Sequence, residues 1–190
     1  MEKGRLEAFT DGVMAIIITI MVLEMKLPAG SDLHALRASA PVLLAYALSY
    51  ANVAIFWNNH HHMLQASECV NGKVLWSNMF LLFWMSLVPF VIRWMDETRF
   101  APLPTASYGM VLVLCGVGYV LLERTLIACN GPESRLARAV GNVLKERISL
   151  SLYLLAIPLS FVHVWIAITL YVAVAITWFA PDRRIEKTAS

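Results

Sequence analysis

Residues 9–28 read FTDGVMAIIITIMVLEMKLP, and this stretch decides the class of fold. Its uninterrupted apolar part, Val13–Leu23, is too short to cross the roughly 30 Å of hydrocarbon in a bilayer. A spanning helix must therefore begin earlier and carry the acidic Asp11 to membrane depth. We predict a first transmembrane helix over residues 4–25, with Pro28 preventing its continuation.

The rest of the chain repeats this pattern of long apolar runs separated by short charged clusters. Of the 190 residues, 59% are hydrophobic and 15% are charged, whereas a soluble domain carries roughly 25% charged residues. The sequence therefore predicts an all-α, polytopic membrane protein with one domain covering residues 1–190. Six helices are expected, over residues 4–25, 38–57, 74–94, 105–129, 148–161 and 164–180.

The last apolar segment, residues 148–180, allows two interpretations. A single helix of this length would be about 50 Å long, which exceeds one crossing. Pro158 and His163 interrupt the segment near its middle. We therefore predict two short helices joined by a tight turn at residues 161–164, with a five-helix protein as the alternative.

Basic residues indicate the orientation of the helices. With six helices, eleven lysines and arginines share the side that holds both termini, and four lie on the other side. Because positive residues concentrate in cytoplasmic loops, both termini are expected in the cytoplasm. The first group is Lys3, Arg5, Lys73, Arg124, Arg135, Arg138, Lys145, Arg147, Arg183, Arg184 and Lys187, and the second is Lys26, Arg37, Arg93 and Arg99.

Four residues of helix one form a stripe along one side of the helix. Ile16, Thr19, Ile20 and Leu23 are spaced at i, i+3, i+4 and i+7, so they cover about 100° of the helix circumference. Such a stripe either packs against neighbouring helices or lines a pore with stacked aliphatic rings. The Thr19 hydroxyl either faces an ion path or bonds to the backbone carbonyl four residues back.

Asp11 lies about 130° around the helix from the centre of the stripe. An acidic side chain at membrane depth needs a partner. Helices two and three bring polar groups to the same level, so we expect a structural network there, with proton or ion transfer as the alternative. The members expected from the residues alone are Arg5, Asp11, Trp57, His61 and Asn78.

The run His60-His61-His62 does not predict a metal site. Successive residues of a helix diverge by about 100°, so three in a row do not converge on one ion. We expect a solvated loop with one inward-pointing histidine, and we expect no metal, cofactor or nucleic-acid partner. The three cysteines, Cys69, Cys115 and Cys129, are far apart in sequence and are interpreted as small apolar helix residues.

The N-terminal motif resembles the prokaryotic members of the transmembrane protein 175 family, which are relatives of the lysosomal potassium channel. The family pattern reads Arg, three residues, Phe-Ser-Asp, then an aliphatic helix ending near Leu-Glu-Ile-Lys. Here Arg5 is followed by Phe9-Thr10-Asp11, and the helix ends in Leu23-Glu24-Met25-Lys26, with threonine replacing serine. Further similarity lies around Phe56-Trp57 and from Trp76 to Phe90, so it covers about the first half of the chain.

The resemblance implies a homotetramer of six-helix subunits, with four copies of helix one around a central pore. It implies that Ile16 forms an aliphatic constriction, followed by Thr19, Ile20 and Leu23, and that the Phe-Thr-Asp segment belongs to a polar network behind the pore. It also implies passive, moderately selective flux of potassium ions through a multi-pass protein of a bacterial cell membrane, surrounded by lipid. The alternatives are a proton-coupled transporter and, less favoured, an intramembrane His-dependent enzyme.

Overall fold

The computed structural model describes residues 2–139 and 143–179, and all regular structure in these two ranges is helical. The all-α class predicted from the sequence is therefore confirmed. The helices are α1 (Lys3–Leu23), α2 (Leu33–Ala38), α3 (Ala40–Gln65), α4 (Gly72–Ser86), α5 (Val88–Glu97), α6 (Pro102–Asn130), α7 (Arg135–Ala139), α8 (Val143–Val162) and α9 (Val164–Phe179).

Four stretches of the described chain are long and apolar enough to cross a membrane. They are α1, α3, the pair α4–α5 taken together, and α6. Helix α9 is equally apolar but has only 16 residues, and α8 begins with the charged residues 145–147. The protein is thus a multi-pass membrane protein with four apolar spans and further helices.

The second and third of the expected helices differ most from those in the structure. Helix α3 continues to Gln65, two turns past residue 57, so the histidine run lies in a helix and not in a loop. The third predicted helix is divided at Leu87 into α4 and α5, and Pro89 occupies the first turn of α5, where its missing N–H leaves no helical bond unmade.

The last apolar segment is divided at His163, which separates α8 from α9. The two helices form an antiparallel hairpin, since the Trp178 indole near the end of α9 donates a 2.8 Å hydrogen bond to the Ser149 hydroxyl near the start of α8. The predicted helix 164–180 extends to Ala180, which lies outside the described residues, as do Arg183, Arg184 and Lys187.

Helix α6 is the centre of the bundle and packs against both α4 and α8. The approach to α4 is close at Gly118, where a Cβ atom would lie 2.9 Å from the backbone Cα of Leu81. Small residues at such crossings let helices in a membrane approach closely, because association there depends on van der Waals contact. Any larger residue at position 118 would force the two helices apart.

A disulfide joins Cys69, in the loop between α3 and α4, to Cys129 at the end of α6, with Cα atoms 5.7 Å apart. The expectation that these two cysteines are merely apolar helix residues is therefore wrong. Sixty residues separate them, and only the return of α6 to the level of this loop brings them together. Cys115 is a free, buried thiol.

The Asn130 side chain also binds the loop between α3 and α4, accepting from the backbone N–H groups of residues 68 and 69 at 2.7 and 2.8 Å.

The candidate pore helix and its polar network

Helix α1 is held in the subunit by one side only. Its buried residues repeat at helical spacing, so they form a single contact surface against α3, α4 and α5. The buried set is Leu6, Thr10, Met14, Ile17 and Met21. The remainder of the helix circumference is left uncovered by the subunit's own helices.

The predicted stripe lies on the uncovered part of α1. Ile16 is 57% exposed, Ile20 41% and Leu23 81%, and Thr19 is exposed between them. The Thr19 hydroxyl donates a 2.9 Å hydrogen bond to the backbone carbonyl of Ile16, three residues back. The carbonyl considered from the sequence was that of Ala15, four residues back. The bond to Ile16 uses the hydroxyl proton and leaves the oxygen free to accept or to contact a cation.

Three buried side chains from three helices form a hydrogen-bonded chain on the packed side of α1. The Asn78 side chain of α4 donates from Nδ2 to the Thr10 hydroxyl at 2.9 Å. Its Oδ1 lies 2.9 Å from Nε2 of His60 on α3. An amide oxygen accepts only, so this arrangement places the imidazole proton on Nε2. Thr10 and Asn78 have no solvent-exposed surface, and His60 is 1% exposed.

Asp11 belongs to a second, more exposed cluster. The Trp57 indole donates to its Oδ1 at 2.8 Å, and the His61 ring stacks on Trp57 with centroids 5.6 Å apart and planes inclined by 17°. The acidic group is therefore bound by an indole of α3, and His61 supports that indole without contacting the acid directly. The predicted network is thus divided into two clusters, one centred on Asn78 and one on Asp11.

Two further predicted members, Arg5 and Phe9, lie on the exposed part of α1. Neither belongs to either cluster. Sequence reasoning selected His61 as the network histidine, whereas His60 is the one that contacts Asn78. The distinguishing signal is the length of α3, because a helix that continues through the run determines which of three adjacent rings points inward.

In the sequence Lys3 contributes only a positive charge, whereas in the structure it anchors the start of α1. Its ammonium group donates to the backbone carbonyls of Leu64 at 2.9 Å and Ser67 at 3.1 Å. These carbonyls lie at the C-terminal end of α3, where unpaired carbonyl groups attract a cation. The base of α1 is thereby tied to the loop that Cys129 and Asn130 hold from α6.

At the other end of α1, charged side chains of α1 and α5 meet. Arg93 bonds to Glu24 and, at 3.2 Å, to Glu97, while Lys26 lies 3.7 Å from Glu97. All four are at least partly exposed, so each pair contributes little on its own. The cluster nevertheless fixes the top of α1 against α5.

No group of three potential metal ligands occurs within residues 2–139 and 143–179.

We expect Asp11→Ala to lower the thermal stability of the purified protein without changing ion selectivity. The variant removes the acceptor of the Trp57 indole, and a lost hydrogen bond of this kind costs about 1 kcal/mol. Asp11→Asn retains an acceptor oxygen and serves as the matched control, and Trp57→Phe should match the alanine variant. A normal melting temperature combined with a shifted reversal potential would place Asp11 in the ion path.

The profile of the family described as endosomal/lysosomal potassium channel TMEM175 matches residues 5–89, which contain α1 from its third residue, both polar clusters and the first two residues of α5. A potassium channel of Chryseobacterium sp. (strain P1-3) is 49% identical over 99% of this chain and 98% of its own. The human endosomal/lysosomal proton channel TMEM175 is 30% identical over 62% of this chain and 25% of its own length.

The fold is also similar to a solved structure. The crystal structure of a lysosomal potassium-selective channel TMEM175 homolog from Chamaesiphon minutus superposes with a TM-score of 0.81 and 27% identity, covering 93% of this chain and 96% of that one. The similarity therefore extends beyond the N-terminal motif to the helices that follow it. With near-complete coverage by a relative that shares half of its residues, the chain belongs to the TMEM175 family.

Proposed function

We propose that this protein is a potassium-selective channel in which four copies of α1 surround a central pore. The observation that carries the proposal is the stripe of Ile16, Ile20 and Leu23, which the subunit leaves uncovered although the opposite part of α1 is fully packed. The full-length Chryseobacterium relative and the Chamaesiphon homolog are both named as potassium channels. Because the chain belongs to a family of ion channels, the intramembrane His-dependent enzyme is no longer an alternative.

In this proposal Ile16 forms the narrowest ring, and Thr19, Ile20 and Leu23 line the path toward the outer mouth. An aliphatic ring offers no ligand to a cation, so an ion that passes must shed part of its water. Sodium is smaller than potassium and holds its water more tightly, so partial dehydration costs sodium more. Moderate selectivity follows, because no ring of carbonyl groups replaces the whole hydration shell.

The proposed topology has six crossings, with both termini in the cytoplasm of a cell membrane. The contact of Lys3 with the end of α3 and the hydrogen bonds of Asn130 to the α3–α4 loop support it, since they bring the base of α1, this loop and the end of α6 to one level. Lys26 and Arg93 lie at the opposite end, by Glu24 and Glu97.

Proteoliposomes provide the direct test of the function. Vesicles that contain the purified protein and a potassium gradient should pass potassium downhill with no other gradient present. A proton-coupled transporter would instead require a proton gradient and would saturate at low rates. Failure to pass potassium under any imposed voltage would end the proposal.

A second candidate function is proton conduction. It is favoured by the similarity to human TMEM175, which is named a proton channel, and by the buried imidazole of His60, since histidines inside membrane helices take part in proton relays. A pH-sensitive dye inside the same vesicles separates the two functions. Acidification driven by voltage alone, and lost in His60→Phe, would favour the proton pathway.

We expect a homotetramer in mild detergent, because one stripe cannot enclose a pore. Mass measurement of the intact complex should give four times the 21.2 kDa of one chain. The Lys73→Gln variant, which changes only an exposed side chain at the start of α4, should assemble equally well. A monodisperse monomer or dimer that still conducts potassium would refute the tetrameric pore.

A further inference from the structure

A crevice of about 410 Å³ opens between α3, α5 and α9, away from the pore helix. Its walls are mainly aliphatic and aromatic, as shown by Leu44, Leu48, Ile92, Phe100 and Val172. The volume lies within the range of pockets that bind small molecules. Because α3 and α5 belong to apolar spans, the crevice faces either lipid or another protein surface.

The polar groups deep in the crevice already have partners. The Ser49 and Tyr108 hydroxyls are 2.9 Å apart, and the Tyr171 hydroxyl donates to the Thr105 carbonyl at 3.0 Å. These hydroxyls are already hydrogen-bonded within the protein, and a polar ligand would lose its water on entering a space whose walls are mainly apolar. The interior therefore favours a hydrocarbon chain.

The rim of the crevice, unlike its interior, carries a positively charged side chain. Arg37, in the last turn of α2, is exposed and contributes to the lining. Within residues 2–139 and 143–179, Arg93 and Lys26 have carboxylate partners within 4 Å, whereas Arg37 takes part in no such ion pair. Trp165, also at the rim, stacks on Phe100 with centroids 6.0 Å apart. Tryptophan and arginine are residues that anchor proteins at the headgroup level of a bilayer.

Helix α2 places this cation at the correct depth for a headgroup. The helix has six residues, begins at the Asp32 cap and exposes Leu33 and Leu36, which is typical of a segment that lies on the membrane surface. The guanidinium group of Arg37 is thus available to an anion at the membrane surface, and the apolar crevice runs inward beneath it.

We propose that this crevice binds one acyl chain of a phospholipid whose phosphate is held by Arg37. A guanidinium group pairs with phosphate oxygens through two parallel hydrogen bonds, and the aliphatic walls replace the contacts that the chain makes in the bilayer. The proposal requires only that the helices lie in a membrane, so it stands or falls independently of the ion that the protein conducts.

The test measures lipid binding to the intact oligomer by native mass spectrometry, using phosphatidylglycerol with palmitoyl and oleoyl chains. Wild-type protein should retain one lipid per chain. Arg37→Gln should weaken binding by about tenfold, since a charged hydrogen bond is lost, and Arg37→Lys should recover part of it. Arg99→Gln is the matched control, because Arg99 is also exposed at that end but does not line the crevice.

A second variant tests the crevice itself. Ala45 lines the wall, and Ala45→Phe should fill the space and weaken binding of both phosphatidylglycerol and a diacylglycerol with the same chains. Arg37→Gln should weaken only the former. Equal retention of phosphatidylglycerol by wild type, Arg37→Gln and Ala45→Phe would overturn the proposal. A cross-link between chains through Leu44→Cys would assign the crevice to a neighbouring subunit and would overturn it as well.

Discussion

Replacing Ile16 with asparagine is expected to bring the potassium and sodium permeabilities of the channel together. The amide would supply hydrogen bonds at the proposed narrowest ring, so an ion could keep or exchange its water there. The dehydration cost that separates the two cations would then disappear. Ile16→Ala should also reduce the difference between potassium and sodium permeability, because a wider ring lets the hydrated ion pass. Conductance should rise in both variants. Reversal potentials under mixed potassium and sodium gradients measure the change.

Val22→Ala is the matched control for the Ile16 variants. Val22 is 49% exposed on α1 but lies about 110° away from the centre of the stripe. It should leave selectivity and conductance unchanged. If the two Ile16 variants also behave like wild type, then Ile16 is a packing residue and the ion path lies elsewhere.

Asn78→Leu is expected to give the largest loss of stability among single substitutions in the polar clusters. Asn78 has no exposed surface and bonds to side chains of two other helices, Thr10 and His60. Side-chain hydrogen bonds between membrane helices contribute about 0.6 to 1.7 kcal/mol each, and the leucine would leave both partners buried without them. The thermal unfolding of the purified oligomer should shift to clearly lower temperature.

A pair of controls separates the hydrogen bonds from the change in volume. Ser86→Ala removes an exposed hydroxyl of α4 that bonds only within its own helix, so it should have almost no effect. In the double variant Thr10→Val with Asn78→Leu, the second substitution should cost less than it does alone, since one orphaned partner has been removed. Strict additivity of the two effects would argue against a shared bond.

Helical periodicity made much of α1 predictable from the sequence. Local backbone geometry places Ile16 and Leu23 on one side and Asp11 on another, whatever the rest of the protein does. The structure leaves Ile16 and Leu23 exposed and bonds Asp11 to Trp57. The break near His163 was predictable for a similar reason, because a helix of that length exceeds the bilayer.

Features that depend on distant parts of the chain were not predictable in the same way. The choice of His60 over His61 depends on α3 continuing as a helix to Gln65. The pairing of Cys69 with Cys129 depends on where α6 ends relative to a loop 60 residues earlier. The contact of Lys3 with the end of α3 depends on that same arrangement, and single-residue types carry no signal for it.

The bond between Cys69 and Cys129 makes a covalent ring of the intervening chain. The ring encloses α4, α5 and nearly all of α6, and it excludes α1 together with the α8–α9 hairpin. A protease that cuts the turn at residues 98–101 therefore leaves the two pieces joined until a reductant is added, whereas a cut between α1 and α2 leaves α1 with no covalent link to the rest of the protein. Residues 69–129 thus form a covalently closed ring. The helix proposed to line the pore is held to this ring by non-covalent contacts and by the one segment of chain that leads into α2.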